Sequence, residues 1–166
     1  IDVIVVNPGI IIGGGFWKSG SSGSLMTRLN KGMKYYTTGV TGYVGVNDVV
    51  QSMIALTNSK IINQRYILVA ENLSFKEFQD MACEALGAAK PTKEAKSWLL
   101  EIAWRLDWLS HKLFGNRRQL SKQLAKSSKT VTLYDASKIK EALNFEFEPL
   151  DAVIKDTVQW FKSSSH

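Results

Sequence analysis

An α/β fold built on parallel strands is what this sequence predicts. Residues Val3 to Val6 form a short apolar, β-branched run. It breaks at Pro8-Gly9 and continues through Ile10, Ile11 and Ile12 into three glycines. Such a run reads as a fully buried parallel strand whose C-terminal end feeds an irregular loop. Arg65 to Val69 is a second run of the same kind. Segments with apolar residues at helical spacing lie between and after the two. In open α/β sheets ligands bind beyond the C-terminal ends of the strands, so the Pro8-Gly9 end is the first place to look for a site.

The remaining elements follow in order. Phe16 to Ser24 is a Gly/Ser-rich loop with two aromatics at its start. Leu25 to Gly32 reads as a short helix, capped by Ser24 and stopped by Gly32. Tyr35–Thr38 and Gly42–Val46 are short β-like runs. Asp48 is expected to cap a helix whose inward face is Val49, Met53, Ile54 and Leu56. Ser74 and Glu77 have the spacing of a capping box, and Gly87 ends the helix they open. After a break at Lys90-Pro91-Thr92, Glu94 to Phe114 reads as a long helix. Leu99, Ile102, Ala103, Leu106, Leu109 and Leu113 form one stripe on it, and Leu100, Trp104 and Trp108 a second. Gly115-Asn116 ends it, and Arg117 to Lys126 is a basic helical stretch. Val131 to Leu133 is extended. Ala136–Leu143 and Leu150–Phe161 close the chain as helices, the second with Val153, Ile154, Val158 and Phe161 inward. Ser163 to His166 should fray. No internal repeat or low-complexity segment interrupts the chain.

With 166 residues, 45% of them apolar and 22% charged, the chain is long enough for a core and has the composition of a folded protein. The single cysteine, Cys83, has no partner for an internal disulfide and sits on a helical pattern beside Phe78 and Ala82, so it reads as a core residue and not as a nucleophile. No segment reads as a membrane span or a signal peptide, and a cytoplasmic location is the expectation. The first strand arrives without an initiator Met or lead-in, which suggests the C-terminal part of a larger protein. The net charge of +6 is localised. Residues 90–129 hold ten Lys/Arg and three Asp/Glu, while the rest of the chain holds eleven and twelve. Nucleic-acid phosphates are one partner for such a cluster, but a solvated helical face explains it more simply, and no nucleic acid is expected.

Four segments carry a resemblance. They are Val6-Asn-Pro-Gly-Ile-Ile-Ile-Gly13, Gly42-Tyr-Val-Gly-Val-Asn-Asp-Val49, and Tyr134-Asp-Ala-Ser-Lys138 followed by Leu143-Asn-Phe145. In this order they resemble the C-terminal half of extended short-chain dehydrogenases/reductases, of the NAD-dependent epimerase/dehydratase and dihydroflavonol-reductase-like branch. The resemblance covers nearly the whole chain. It implies an α/β, Rossmann-like fold in one truncated unit, residues 1–166. Residues 1–89 would be the end of the sheet with a substrate loop, and 90–166 a mainly helical, substrate-side region. The sequence departs from the pattern at Gly14, where Pro is common, at Asn47, where a more acidic residue is common, and at Asn144, where Gly is usual.

The resemblance also implies a site. Pro8, Gly9, Ile10 and Ile11 would hold the nicotinamide end of NAD or NADP, since Pro fixes φ and Gly permits close approach of the backbone. Phe16, Trp17, Ser21 and Ser22 would face a small-molecule substrate. The catalytic Tyr/Lys pair of the family precedes the first strand, so it should lie upstream of Ile1, and no catalytic residue is assigned here. The glycine-rich pyrophosphate loop is not found in this sequence either. Tyr134 and Lys138 match the Tyr-x-x-x-Lys spacing but read as a surface turn. The expected function is therefore part of an NAD(P)-dependent oxidoreductase or epimerase acting on a carbonyl or alcohol, inactive alone. Its expected partners are the missing N-terminal half and, for the isolated chain, other copies of itself. A second reading makes the basic, Trp-rich stretch 94–126 a membrane-surface or partner-binding helix.

Overall fold

The computed structural model of the chain describes residues 1–15, 17, 22–115 and 122–164. The element order is β1 (Ile4–Pro8), β2 (Ile10–Ile12), α1 (Ser22–Asn30), β3 (Tyr35–Tyr36), β4 (Val40–Gly45), α2 (Val46–Thr57), β5 (Gln64–Leu68), β6 (Glu71–Ser74), α3 (Phe75–Leu86), β7 (Lys93–Glu94), α4 (Ser97–Phe114), α5 (Lys122–Ser127), α6 (Ser137–Leu143) and α7 (Leu150–Ser163).

The two apolar runs pair as parallel strands, Val6 opposite Tyr66 and Pro8 opposite Leu68. The first run does not end in a loop at Pro8. It turns at Gly9 and continues as β2, which leaves β5 and pairs in parallel with β4. The chain beyond the second run does likewise, since β6, which follows β5 after Val69-Ala70, pairs antiparallel with β4. At both places the chain thus crosses from one small sheet, β1-β5, into another, β2-β4-β6. Gly9 has a structural task at this crossing. A Cβ there would collide with the Gly42 carbonyl oxygen and lie 2.7 Å from its carbon. The demand for glycine comes from the close passage of two backbones.

Each sheet has its own core. Ile12 and Tyr43 pack with Met26 and Leu29 of α1, Phe78 and Ala82 of α3, and Ile154 and Val158 of α7. The Tyr43 and Phe78 rings stack with centroids 4.6 Å apart. Around the other sheet, Tyr66 and Leu68 pack with Val49 and Leu56 of α2 and Ile139 of α6. Elements from beyond residue 90 enter both clusters. Val131 also bridges to Val40 in parallel.

The helix ends show why the sequence breaks where it does. Ser74 and Glu77 form the reciprocal capping box, with Glu77 N–H on Ser74 Oγ at 3.1 Å and Ser74 N–H on Glu77 Oε2 at 2.8 Å. Gly87 closes α3 in the left-handed region, φ 73°. Asn144 closes α6 at φ 48°, a conformation in which Asn is the best substitute for Gly. Cys83 is fully buried, and burial pushes its thiol pKa up.

Several expectations need correction. β1 is half-exposed, because β5 is its only partner among the described residues. The first helix begins at Ser22 and not Leu25. Asp48 is no N-cap, since α2 starts at Val46 behind Gly45. The inward face of α2 is Asp48, Val49, Ser52 and Leu56, while Met53 and Ile54 are exposed. Lys93–Glu94 is not helical but pairs with Tyr35–Tyr36, so α4 begins at Ser97. The last helix continues to Ser163. Much of the predicted basic stretch 117–126 lies outside the described residues, and helix α5 covers its end.

Candidate functional site

The cleft at the crossing is built from the C-terminal end of β1 upward. Pro8 and Ile10 flank Gly9 and remain exposed, β1 and β2 being edge strands among the described residues. Proline has no N–H to give. The Gly9 N–H is taken by the Leu68 carbonyl at 3.0 Å. The shoulder is therefore apolar, with its backbone donor at Gly9 already used. Asn7, Thr41 and Arg65 add a polar rim, Ile67 and Tyr134 close the side, and the cleft measures about 570 Å³. Arg65 and Ile67 arrive by register, opposite Val5 and Asn7 across the parallel pair.

Tyr134 is exposed and lies outside any helix or strand, as expected of a surface position. It lies far along the chain from Pro8, yet it lines the same cleft. Asn72 holds it there from both sides. The Tyr134 N–H donates to Asn72 Oδ1 at 2.9 Å, and Asn72 Nδ2 donates to the Tyr134 carbonyl at 2.9 Å. Lys138 is committed elsewhere. Its Nζ donates to Gln64 Oε1 at 2.8 Å and to the Arg65 carbonyl at 3.1 Å, and sits 5.0 Å from the Tyr66 ring centroid. Asn72 lies on β6, 62 residues before Tyr134, and no local pattern in the sequence links the two.

Of the expected site residues, Pro8, Gly9 and Ile10 line this cleft together, and Ile11 follows on β2 with its side chain exposed. Of the expected substrate residues, Phe16 and Ser21 lie outside the described residues. Ser22 opens α1. Trp17 is turned to the core: its ring meets Phe161 edge-on at 5.1 Å, and its carbonyl accepts from Thr27 Oγ1 at 2.9 Å.

A second, smaller cleft of about 280 Å³ lies at the ends of β2 and β4 beside α7, lined by Gly13, Gly14, Asn47, Glu148, Asp156 and Trp160 among others. Two carboxylates make it unsuited to a phosphate group. Among the described residues no group of His, Cys, Asp and Glu is placed to hold a metal ion.

No family model and no curated protein matches the chain. Solved structures do match. The protein gox2253 superposes with a TM-score of 0.75 at 24% identity, over 97% of this chain and 49% of that one. UDP-glucose 4-epimerase from Thermotoga maritima, solved with UDP-glucose, gives 0.69 at 17% identity, over 100% of this chain and 48% of that one. The dTDP-glucose 4,6-dehydratase DesIV from Streptomyces venezuelae, solved with NAD bound, gives 0.67 at 16% identity, over 98% and 44%. The chain thus spans about half the length of the structures it matches. Over that half it shares the α/β fold of these structures.

Proposed function

We propose that this chain is the C-terminal, substrate-side part of an NAD(P)-dependent oxidoreductase or epimerase acting on a carbonyl or alcohol, with a nucleotide sugar as the leading substrate class. The observation that carries the reading is the exposed Pro8-Gly9-Ile10 shoulder beside an open cleft at the end of a parallel strand, on a fold shared with a UDP-glucose epimerase and an NAD-bound dehydratase. A bound nicotinamide would accept and return hydride. Pro8, Gly9, Ile10 and Ile11 would hold its ring end. Their apolar surface would exclude water from one side of a flat ring. Asn7, Thr41 and Arg65 would orient polar groups at the rim. Proton transfer belongs, in this reading, to a segment outside this chain, which also supplies the pyrophosphate site.

The test is made with the purified chain and with a longer protein containing it. The chain alone should show no hydride transfer and only weak NAD(P) binding by calorimetry. The longer protein should turn over, and Ile10→Asp in it should raise KM for the cofactor. Tight cofactor binding by the 166-residue chain alone would sink the proposal.

A further inference from the structure

The helix α4 is turned the wrong way round for a helix of a water-soluble core. An amphipathic helix ordinarily lays its apolar stripe on the protein. Here a helical repeat of about 3.6 residues gathers Trp98, Ile102, Leu106, Leu109 and Leu113 into one stripe about 80° wide. All five are between 42% and 65% exposed. The partly covered side carries Glu101, Asp107 and Ser110 beside Leu99, Leu100, Ala103 and Trp104. Among its described side chains, α4 has none that is fully buried.

Charge adds a second, independent feature. Arg105 and Lys112 run along one edge of the stripe. The Arg105 guanidinium lies 4.8 Å from the Trp104 ring centroid, and Lys112 Nζ lies 5.3 Å from that of Trp108. The carboxylate on the same edge, Glu101, is engaged by Arg105 at 2.8 Å and by Trp104 Nε1 at 3.2 Å. Lys96 ahead of the helix and Lys122 and Lys126 on α5 are exposed. The whole basic excess of the chain lies in this segment.

We infer that α4 is an interfacial helix, docking its Trp98-Ile102-Leu106-Leu109-Leu113 stripe on a membrane surface that carries anionic lipid. A bilayer of that kind meets both features at once, taking the apolar stripe at the acyl boundary and the Lys/Arg edge at the headgroups. Trp98 and Trp108 suit that level, where an apolar ring and a polar N–H are both accommodated. A nucleic acid would use the cations and leave the leucines bare. A second copy docked antiparallel through the stripe would bring two cationic edges together. The helix lies on the membrane and does not cross it: among the described residues no helix is long and apolar enough to span one.

The test is density-gradient flotation of the 166-residue chain with phosphatidylcholine vesicles and with vesicles of phosphatidylcholine mixed with phosphatidylserine. Flotation is used because aggregated protein stays at the bottom. The chain should float with the mixed vesicles and far less with the neutral ones, and salt should weaken the association. Leu106→Glu with Leu113→Glu should cut partitioning by at least ~tenfold. Arg105→Gln or Lys112→Gln should each cost about fivefold. All four positions are exposed, so thermal unfolding should be unchanged. The inference is overturned by failure to float with anionic vesicles at low salt, or by flotation that the double Glu variant leaves intact. It is also overturned if that variant instead halves the mass seen by light scattering, which would make the stripe a contact between copies.

Discussion

Asp48 and Glu148, a hundred residues apart, are joined by the Asp48 carboxylate, which accepts the Glu148 backbone N–H at 3.2 Å through one oxygen and 3.4 Å through the other. The bond ties the first turn of α2 to the segment that leads into α7. Asp48 is buried, at 6% exposure. Burial pushes its carboxyl above the usual carboxylate range, the Glu148 N–H pulls the other way, and the Glu148 carboxylate adds to the rise. A position that reads as a helix cap is therefore a tether between the two cores.

Asp48→Ala should destabilise the chain by about 1–3 kcal/mol, because it leaves the Glu148 N–H without its acceptor. Asp48→Asn keeps an acceptor oxygen and should cost less. The two differ in pH dependence. The native pKa of Asp48 lies above its unfolded value, so the folded state holds the proton more tightly. Its contribution is full below the ordinary carboxylate pKa and falls as pH rises through the raised one. The stability of Asp48→Asn relative to the unmodified chain should therefore improve with pH across that window. Urea midpoints measured through the acid range check it, and a difference that declines with pH would contradict the assignment.

Gly9→Ala should destabilise by about 1–3 kcal/mol, the range for overpacking a tight site. The added methyl meets the Gly42 backbone, which has no flexible end to yield. The same Gly42 is itself confined, since a Cβ on it would lie 2.5 Å from Val69 Cγ2. Urea unfolding with an unchanged midpoint would show that the crossing is looser than this geometry.

Local chemistry was legible in the sequence where it is local in space. The Ser74–Glu77 box, the Gly87 stop and the parallel kinship of the two apolar runs all follow from neighbours along the chain or from composition. Other features depend on distant partners and leave no periodic trace. The Lys93–Glu94 strand exists only because Tyr35–Tyr36 lies alongside it. The α4 pattern announces an apolar stripe but not whether anything covers it. Met53 and Ile54 fit a helical period as well as Val49 and Leu56 do, and only packing decides which pair turns inward. For the cleft, the strand's end pointed to Pro8-Gly9 and only the resemblance gave Pro8 to Ile11 a role, whereas Thr41, Arg65 and Tyr134 needed the register and the Asn72 clamp.

Tyr134→Phe, made in the longer enzyme proposed above, should lower turnover by no more than a few-fold. Separation along the chain cannot support that expectation, because Tyr134 reaches the Pro8 cleft. What supports it is Lys138. A catalytic Lys must bring its charge to the Tyr hydroxyl, and here Nζ is held by Gln64 and the Arg65 carbonyl. Steady-state rates decide. A loss of about a hundredfold or more, the scale of general acid–base catalysis, would mark Tyr134 and Lys138 as the reacting pair.

The isolated chain should self-associate through the open edge of β1. β5 occupies one side of that strand, and among the described residues nothing pairs with the other. Val3 and Val5 are 50% and 42% exposed along it. Val46, Val50, Met53 and Ile54 leave the outer face of α2 apolar as well. An unpaired, β-branched edge is a template for another strand, and the adjoining apolar face adds area to any such contact. Light scattering should therefore give a mass above the monomer that rises with concentration. Val5→Lys, a charge set on the edge, should shift the distribution toward monomer, whereas the double Glu variant on α4 should leave it where it was. A monomer that persists at high concentration with cooperative unfolding would show that the chain seals β1 by itself. The α4 variant breaking the oligomer would move the contact from the sheet edge to the helix.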